Sequence, residues 1–365
     1  MKKHIDDIQV LRAVAALAVL FFHIEREISS ARTGAFSDLF MDAAWLGQVG
    51  VDIFFVISGF IMYFVHAGDF ARTGMPGRFL LRRVVRVVPT YWLLTTVTVA
   101  GLVFLPSLFN SRSPDWSWIT ASYAFVPWQS PAGDISPPVG PGWTLNYEMY
   151  FYLVFAVMLL LPRRVALPVM TAFLLGSAAL GLIFTPDLPA VALMTSALLV
   201  EFLCGIWIAW AFIRGITLSG GVRLVLGAVA GAVFLVSPAL YTSGDLATWW
   251  RLPFFGLPAA ALMSAVILRP SLQDVERTDG AFGRLMVALG NSSYALYLTH
   301  VFTLRIAALV LHRLLPPLPV FVEFTLIFVA AVIVGHLFFL LVERPIYRVL
   351  KTWLLTRKTN TAVPA

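Results

Sequence analysis

Charge is what this sequence has least of. Only 12% of its 365 residues are Asp, Glu, Lys or Arg, against 59% hydrophobic residues, where soluble proteins carry about 25% charged residues. With a mean hydropathy of +0.86, this excludes an ordinary soluble domain. It leaves apolar residues for about ten membrane spans of ~20 residues each. Cysteine is nearly absent as well. The single Cys204 excludes an intramolecular disulfide and a cysteine metal site, and within an apolar run it reads as a small packing residue. No GxSxG elbow, GxxxxGK[ST] phosphate loop or HExxH metal pair occurs, and no GxGxxG follows a plausible strand. These absences argue against the corresponding hydrolase, nucleotide-loop, zinc and dinucleotide chemistries, and no metal is expected.

What is present is a set of apolar runs at about 8–25, 47–66, 88–105, 143–161, 166–185, 191–213, 222–240, 250–268, 289–311 and 319–342. Lys2-Lys3 followed by an apolar stretch is signal-like. That stretch contains Arg12 and His23 and lacks a small-residue cleavage site, so a retained first span is expected. With the N-terminus cytoplasmic, 20 of the 26 Lys and Arg fall on the inner side and 6 outside or within spans. The expected fold is therefore an all-α polytopic membrane bundle of about ten helices with both termini in the cytoplasm. The net charge of +7 then belongs to inner headgroups, not to nucleic acid. Gly227 and Gly231 form a GxxxG, a close-packing signal.

The long outer loop, about 106–142, contains Pro106, Pro114, Pro127, Pro131, Pro137, Pro138 and Pro141 with Trp116, Trp118 and Trp128. It reads either as an aromatic belt or as a lid over an outer site, without a regular domain. The basic segment after Arg344 reads as an amphipathic anchor that fades into disorder around Thr359–Ala365.

Ionisable residues inside spans cost about 2.5–3.5 kcal/mol each at a helix centre and call for a function or a partner. They are Arg12, His23, Asp52, Glu148, Glu201, His300, Arg305 and His336, with Glu323 near a span end. Arg12 and His23 are eleven residues apart, about 20° beyond three full turns and ~16 Å along the axis, so they share one helix face. Arg12 either snorkels to inner headgroups or serves that face. Asp52 and Glu148 open descending spans and are expected at the depth of His23, where either could orient its imidazole. Arg82, Arg83 and Arg86 cluster at i,i+3 and i,i+4 spacing, suited either to positive-inside anchoring or to the phosphates of a nucleotide-bearing cofactor.

In order along the chain, the sequence resembles the acyltransferase-3 family of bacterial membrane O-acyltransferases, in its compact exopolysaccharide-modifying form. The resemblance rests on Leu11-Arg12 with His23, then Val51-Asp52-Ile53-Phe54-Phe55-Val56-Ile57-Ser58-Gly59-Phe60. It continues through Arg82-Arg83, Arg86, Pro89, Tyr91, Trp143-Thr144-Leu145 and Glu148. Late in the chain come Gly290-Asn291-Ser292-Ser293-Tyr294-Ala295-Leu296-Tyr297-Leu298, His300 and Glu343-Arg344-Pro345.

The resemblance implies transfer of an acyl group, usually acetyl, from cytoplasmic acyl-coenzyme A to a hydroxyl of an exopolysaccharide, an O-antigen or another envelope glycan or its lipid-linked precursor. It places the protein in the bacterial inner membrane. It makes His23 the essential histidine, with Arg12 as its partner, and Arg82, Arg83 and Arg86 the coenzyme-facing cluster. Asp52 and Glu148 are candidate catalytic carboxylates; Ser58, Trp143, Tyr294 and His300 are candidate substrate-lining residues. Expected partners are the glycan acceptor, acyl-CoA and the bilayer. The expected organisation is one membrane domain over residues 1–350 and a basic tail over 351–365, with no esterase-like domain after it. The rival class is a transporter or flippase of a lipid-linked sugar, since intramembrane His, Asp and Glu also mark proton relays. The sequence shows no internal repeat of the transporter kind.

Overall fold

The computed structural model describes residues 6–32, 34–104, 114–184, 186–240, 248–270 and 280–356. Pro106, Arg112, Arg277, the Lys2-Lys3 start and the tail from Arg357 lie outside them. All regular structure among the described residues is helical, in the order α1 (Asp6–Ala31), α2 (Asp38–Trp45), α3 (Val49–His66), α4 (Met75–Phe104), α5 (Trp116–Tyr123), α6 (Trp143–Met158), α7 (Arg163–Ile183) and α8 (Pro189–Met194). There follow α9 (Leu198–Ile213), α10 (Gly220–Leu240), α11 (Thr248–Arg251), α12 (Leu257–Ile267), α13 (Ala281–Asn291), α14 (Ser293–Leu314), α15 (Val320–Phe338) and α16 (Arg344–Lys351). Helices suit a membrane because every backbone donor is satisfied inside its own segment.

Among the described residues, nine helical segments are long and apolar enough to cross a membrane. The remaining expected span, 143–161, is helical over the sixteen residues of α6. Three runs differ from expectation, one of them 191–213, which is divided at residues 195–197 into α8 and α9. The span expected from residue 88 begins at Met75, and Pro89 sits inside it, so the arginine cluster is part of the helix. The run 289–311 is divided at Ser292 into α13 and α14.

The chain forms two compact units, Met1–Val65 with Val200–Leu337 and His66–Leu199 with Phe338–Ala365. In the first, close backbone approach sets the packing, as expected where lipid is as apolar as leucine and burial drives little. A Cβ on Gly59 would lie 1.9 Å from the Phe202 carbonyl oxygen, and one on Gly205 would lie 1.9 Å from that of Val56. The Ser58-Gly59-Phe60 stretch is thus where α3 and α9 meet backbone to backbone. Gly290 likewise abuts the Gln9 carbonyl, at 2.0 Å, bringing α13 against α1.

In the second unit, the segment expected to be irregular contains α5. Asp115 caps it by accepting from the Ser117 and Trp118 amides. Buried Trp118 packs with Leu102 and Ile119, and its indole donates to the Ser136 carbonyl at 2.7 Å. Trp92 of α4 donates to the Tyr123 carbonyl at 2.9 Å. The aromatic residues of this loop therefore fasten it to α4.

Candidate active site

In the first unit, α1 and α14 bring His23 and His300 together, ring centroids 4.7 Å apart and edge-to-face. Nδ1 of His23 lies 2.8 Å from the Val19 carbonyl oxygen, one turn back on the same helix. A carbonyl only accepts, so Nδ1 carries the hydrogen and, in the neutral ring, Nε2 is the basic nitrogen. His300 is held in the same way, with Nδ1 3.2 Å from the Leu296 carbonyl; its Nε2 is buried and has no hydrogen-bond partner. Two imidazoles thus lie in contact with their basic nitrogens set by helix backbone. Phe22 and Tyr297 stand against them, at 5.0 Å from His23 and 6.0 Å from His300.

Asp52 is not level with His23. Gly47 faces Ala18 and Phe22, and Gly50 faces Ala15 and Val19, so the two chains run antiparallel. Asp52 therefore falls near the level of Ala15, eight residues or ~12 Å along the axis from His23. Its carboxylate is taken by Arg251, which donates through Nε to Oδ1 at 2.9 Å and through Nη2 to Oδ2 at 2.8 Å. The same Nη2 donates to the Gln48 carbonyl at 2.9 Å. Asp52 is 0% exposed and Arg251 6%. Such a bidentate pair satisfies both charges where water cannot. The expectation of Asp52 as a neighbour of His23 is corrected accordingly, and Arg251 emerges as a residue missed in the sequence. Buried Glu201 lies close to both. Arg12 is half-buried, with Gln9 Oε1 3.5 Å from its Nη1; Ser58 is buried and Tyr294 half-buried.

The second unit holds the other predicted residues. Arg83 lies over the rings of Phe79 and Tyr152, at 5.6 and 5.9 Å, and Tyr152 donates its hydroxyl to Glu148 at 2.6 Å. Arg86 pairs with buried Glu343 at 2.5 Å and covers the Tyr347 ring at 5.6 Å. The Glu343-Arg344-Pro345 motif thus supplies the counter-charge for one member of the cluster. Pro345 has no backbone N–H, and a π-helical turn over Phe339–Glu343 accommodates it. Arg82 is half-buried and makes no hydrogen bond or ion pair among the described residues. Trp143 begins α6, edge-to-face with Tyr147 at 5.8 Å. Among the described residues no group of three or more His, Cys, Asp or Glu could hold a metal ion.

The family model described as an acyltransferase domain matches residues 5–340. The chain belongs to the acyltransferase-3 family. It is an O-acyltransferase of multi-pass membrane type. The exopolysaccharide production protein ExoZ of Rhizobium meliloti (strain 1021) is 36% identical over 266 residues, covering 72% of this chain and 78% of that protein. The acyltransferase MdmB of Streptomyces mycarofaciens is 26% identical over 335 residues, 84% of this chain and 79% of its own length. The O-acetyltransferase OatA of Staphylococcus aureus (strain NCTC 8325 / PS 47) is 25% identical over 328 residues, 82% of this chain; the match spans half of OatA. No solved structure matches.

Proposed function

We propose that this acyltransferase moves an acetyl group from cytoplasmic acyl-coenzyme A to a hydroxyl of an exopolysaccharide or related envelope glycan, or its lipid-linked precursor, in the bacterial inner membrane with both termini cytoplasmic. The names of two relatives, one an exopolysaccharide production protein and one an O-acetyltransferase, support the acceptor and the group transferred. The observation that carries the chemistry is the tautomer of His23, whose Nδ1 hydrogen is committed to the Val19 carbonyl. Its Nε2 is then the base. As the glycan hydroxyl oxygen bonds to the thioester carbonyl carbon, His23 Nε2 takes the hydroxyl proton. The carbon–sulfur bond breaks, and that proton passes to the departing thiolate, giving an ester and free coenzyme A. Proton transfer by a positioned base is worth roughly 10²–10⁴-fold.

In this reading the Val19 carbonyl takes the orienting role expected of a carboxylate, and His300 lines the site beside the base. Arg82, Arg83 and Arg86 hold the donor's phosphates, with Glu148 and Tyr152 beside Arg83 and Glu343 holding Arg86 in the meantime. Asp52 anchors α3 through Arg251. Arg12, Ser58, Trp143 and Tyr294 remain as lining or positioning residues of the proposal. The test is purified protein in vesicles with acetyl-CoA. Thioester consumption that requires added O-deacylated exopolysaccharide, with the glycan gaining acyl mass, supports it. Consumption independent of glycan, or glycan transport without thioester cleavage, refutes it.

A further inference from the structure

Where α1 and α14 end in the first unit, two cavities of about 250 and 300 Å³ adjoin, sharing Ala31, His312 and Glu323 in their walls. Both helices lead there from the histidine pair. Glu27 lies one turn and ~6 Å beyond His23, about 40° round the helix; Ser30 lies ~10.5 Å beyond and about 20° short of two turns, so both prolong the His23 face. Both line the first cavity.

The polar wall is built, with its charges locked to one another. Glu323 is 1% exposed and faces the Arg32 guanidinium at 3.1 Å and the His312 imidazole at 2.8 Å. Arg32 also donates to the Leu318 carbonyl at 3.0 Å. On the other side, half-exposed Arg305 faces Glu27 at 3.4 Å, a loose pair that a ligand can enter. Ile28 and Ala308 of the first cavity's wall share an apolar core with the packed rings of Phe36, Phe40, Phe321 and Phe324, which limits the ordering that binding has to supply.

We propose that this double cleft holds the sugar residues next to the acylated hydroxyl, and that its ligand is a neutral, hydroxyl-rich glycan segment. This rests on the function proposed above, whose base it places one turn away. Hydroxyls both donate and accept, which matches alternating guanidinium, imidazole and carboxylate groups. Two arginines and a histidine facing two glutamates do not favour a polyanion, and charged walls do not suit an acyl chain. Nothing else described in the molecule uses these five side chains.

The test separates the cleft from the chemistry. Oligosaccharides cut from O-deacylated exopolysaccharide are titrated into His23→Ala protein in nanodiscs, with and without Glu27→Gln or Arg305→Gln. Losing a hydrogen bond to a charged group at this wall weakens binding about tenfold or more, and in the His23-containing protein raises KM for the glycan similarly while KM for acetyl-CoA stays put. Unchanged oligosaccharide binding in both variants, or equal shifts in both KM values, overturns the proposal. Tighter binding of oligogalacturonate than of neutral oligosaccharide overturns its neutral-glycan part. If the parent protein transfers no acyl group, the function fails, and the binding titration still decides the cleft.

Discussion

Replacing Arg251 by methionine removes the only cation held against two buried carboxylates among the described residues of that cluster. Asp52 loses both of its bonds to the guanidinium, and neighbouring Glu201 loses its nearby positive charge. Breaking a buried pair from one side costs about 3–5 kcal/mol, because the remaining charge is left in a dry site. Asp52 is the carboxylate left without its paired cation, so Arg251→Met falls within this range. Asp52→Asn costs less, since Glu201 remains beside Arg251 as its counter-charge. The triple variant Asp52→Asn/Glu201→Gln/Arg251→Met carries no charge and recovers most of the loss, although its uncharged amides still need partners. Reversible unfolding in mixed micelles, followed by helical content, measures all three. Arg251→Met within about 0.5 kcal/mol of the parent, as for an ordinary surface change, would show that no charge is stranded, and so would Asp52→Asn costing more than Arg251→Met. The same variants report on catalysis. Asp52→Asn keeps kcat per folded molecule within a few-fold, whereas a carboxylate acting on His23 would show a far larger loss.

Three further outcomes follow from the geometry. Gly205→Ala puts a methyl group 1.9 Å from the Val56 carbonyl oxygen, so α3 and α9 must separate and folded yield on size-exclusion chromatography falls; a normal yield contradicts that crossing. Arg82→Ala raises KM for acetyl-CoA about tenfold or more while KM for glycan is unchanged, and lysine restores part of it; an unmoved donor KM removes Arg82 from the donor site. Glu343→Gln strips the charge partner from Arg86 and lowers stability, with a shift in donor KM; stability equal to the parent shows that the pair contributes nothing.

Much of the fold was legible because span length and inner basic residues leave strong marks in a sequence this apolar. The start of α4 was not. Arg78, Arg82, Arg83 and Arg86 lower the local hydropathy, so a window begins at residue 88 although the helix begins at Met75. Histidine tautomers were not legible either, because the acceptors are backbone carbonyls at i−4 and carry no side-chain signal. Asp52 was expected beside His23 because both were assigned to the outer half of a span. Its partner stands 199 residues away in sequence. A signal for that partner existed, since an arginine at the start of a span needs a counter-charge, and Arg251 was the residue to ask it of. Glu343 was visible as part of a motif, but its pairing with Arg86 across 257 residues appears only in three dimensions.

His23 Nε2 as the base in acyl transfer is tested by single-turnover transfer of labelled acetyl from acetyl-CoA to glycan by parent and His23→Ala proteins in vesicles. Loss of a positioned base gives a rate about 10²–10⁴-fold lower in the variant, with helical content and oligosaccharide binding retained. Transfer by folded His23→Ala protein within a few-fold of the parent would contradict it.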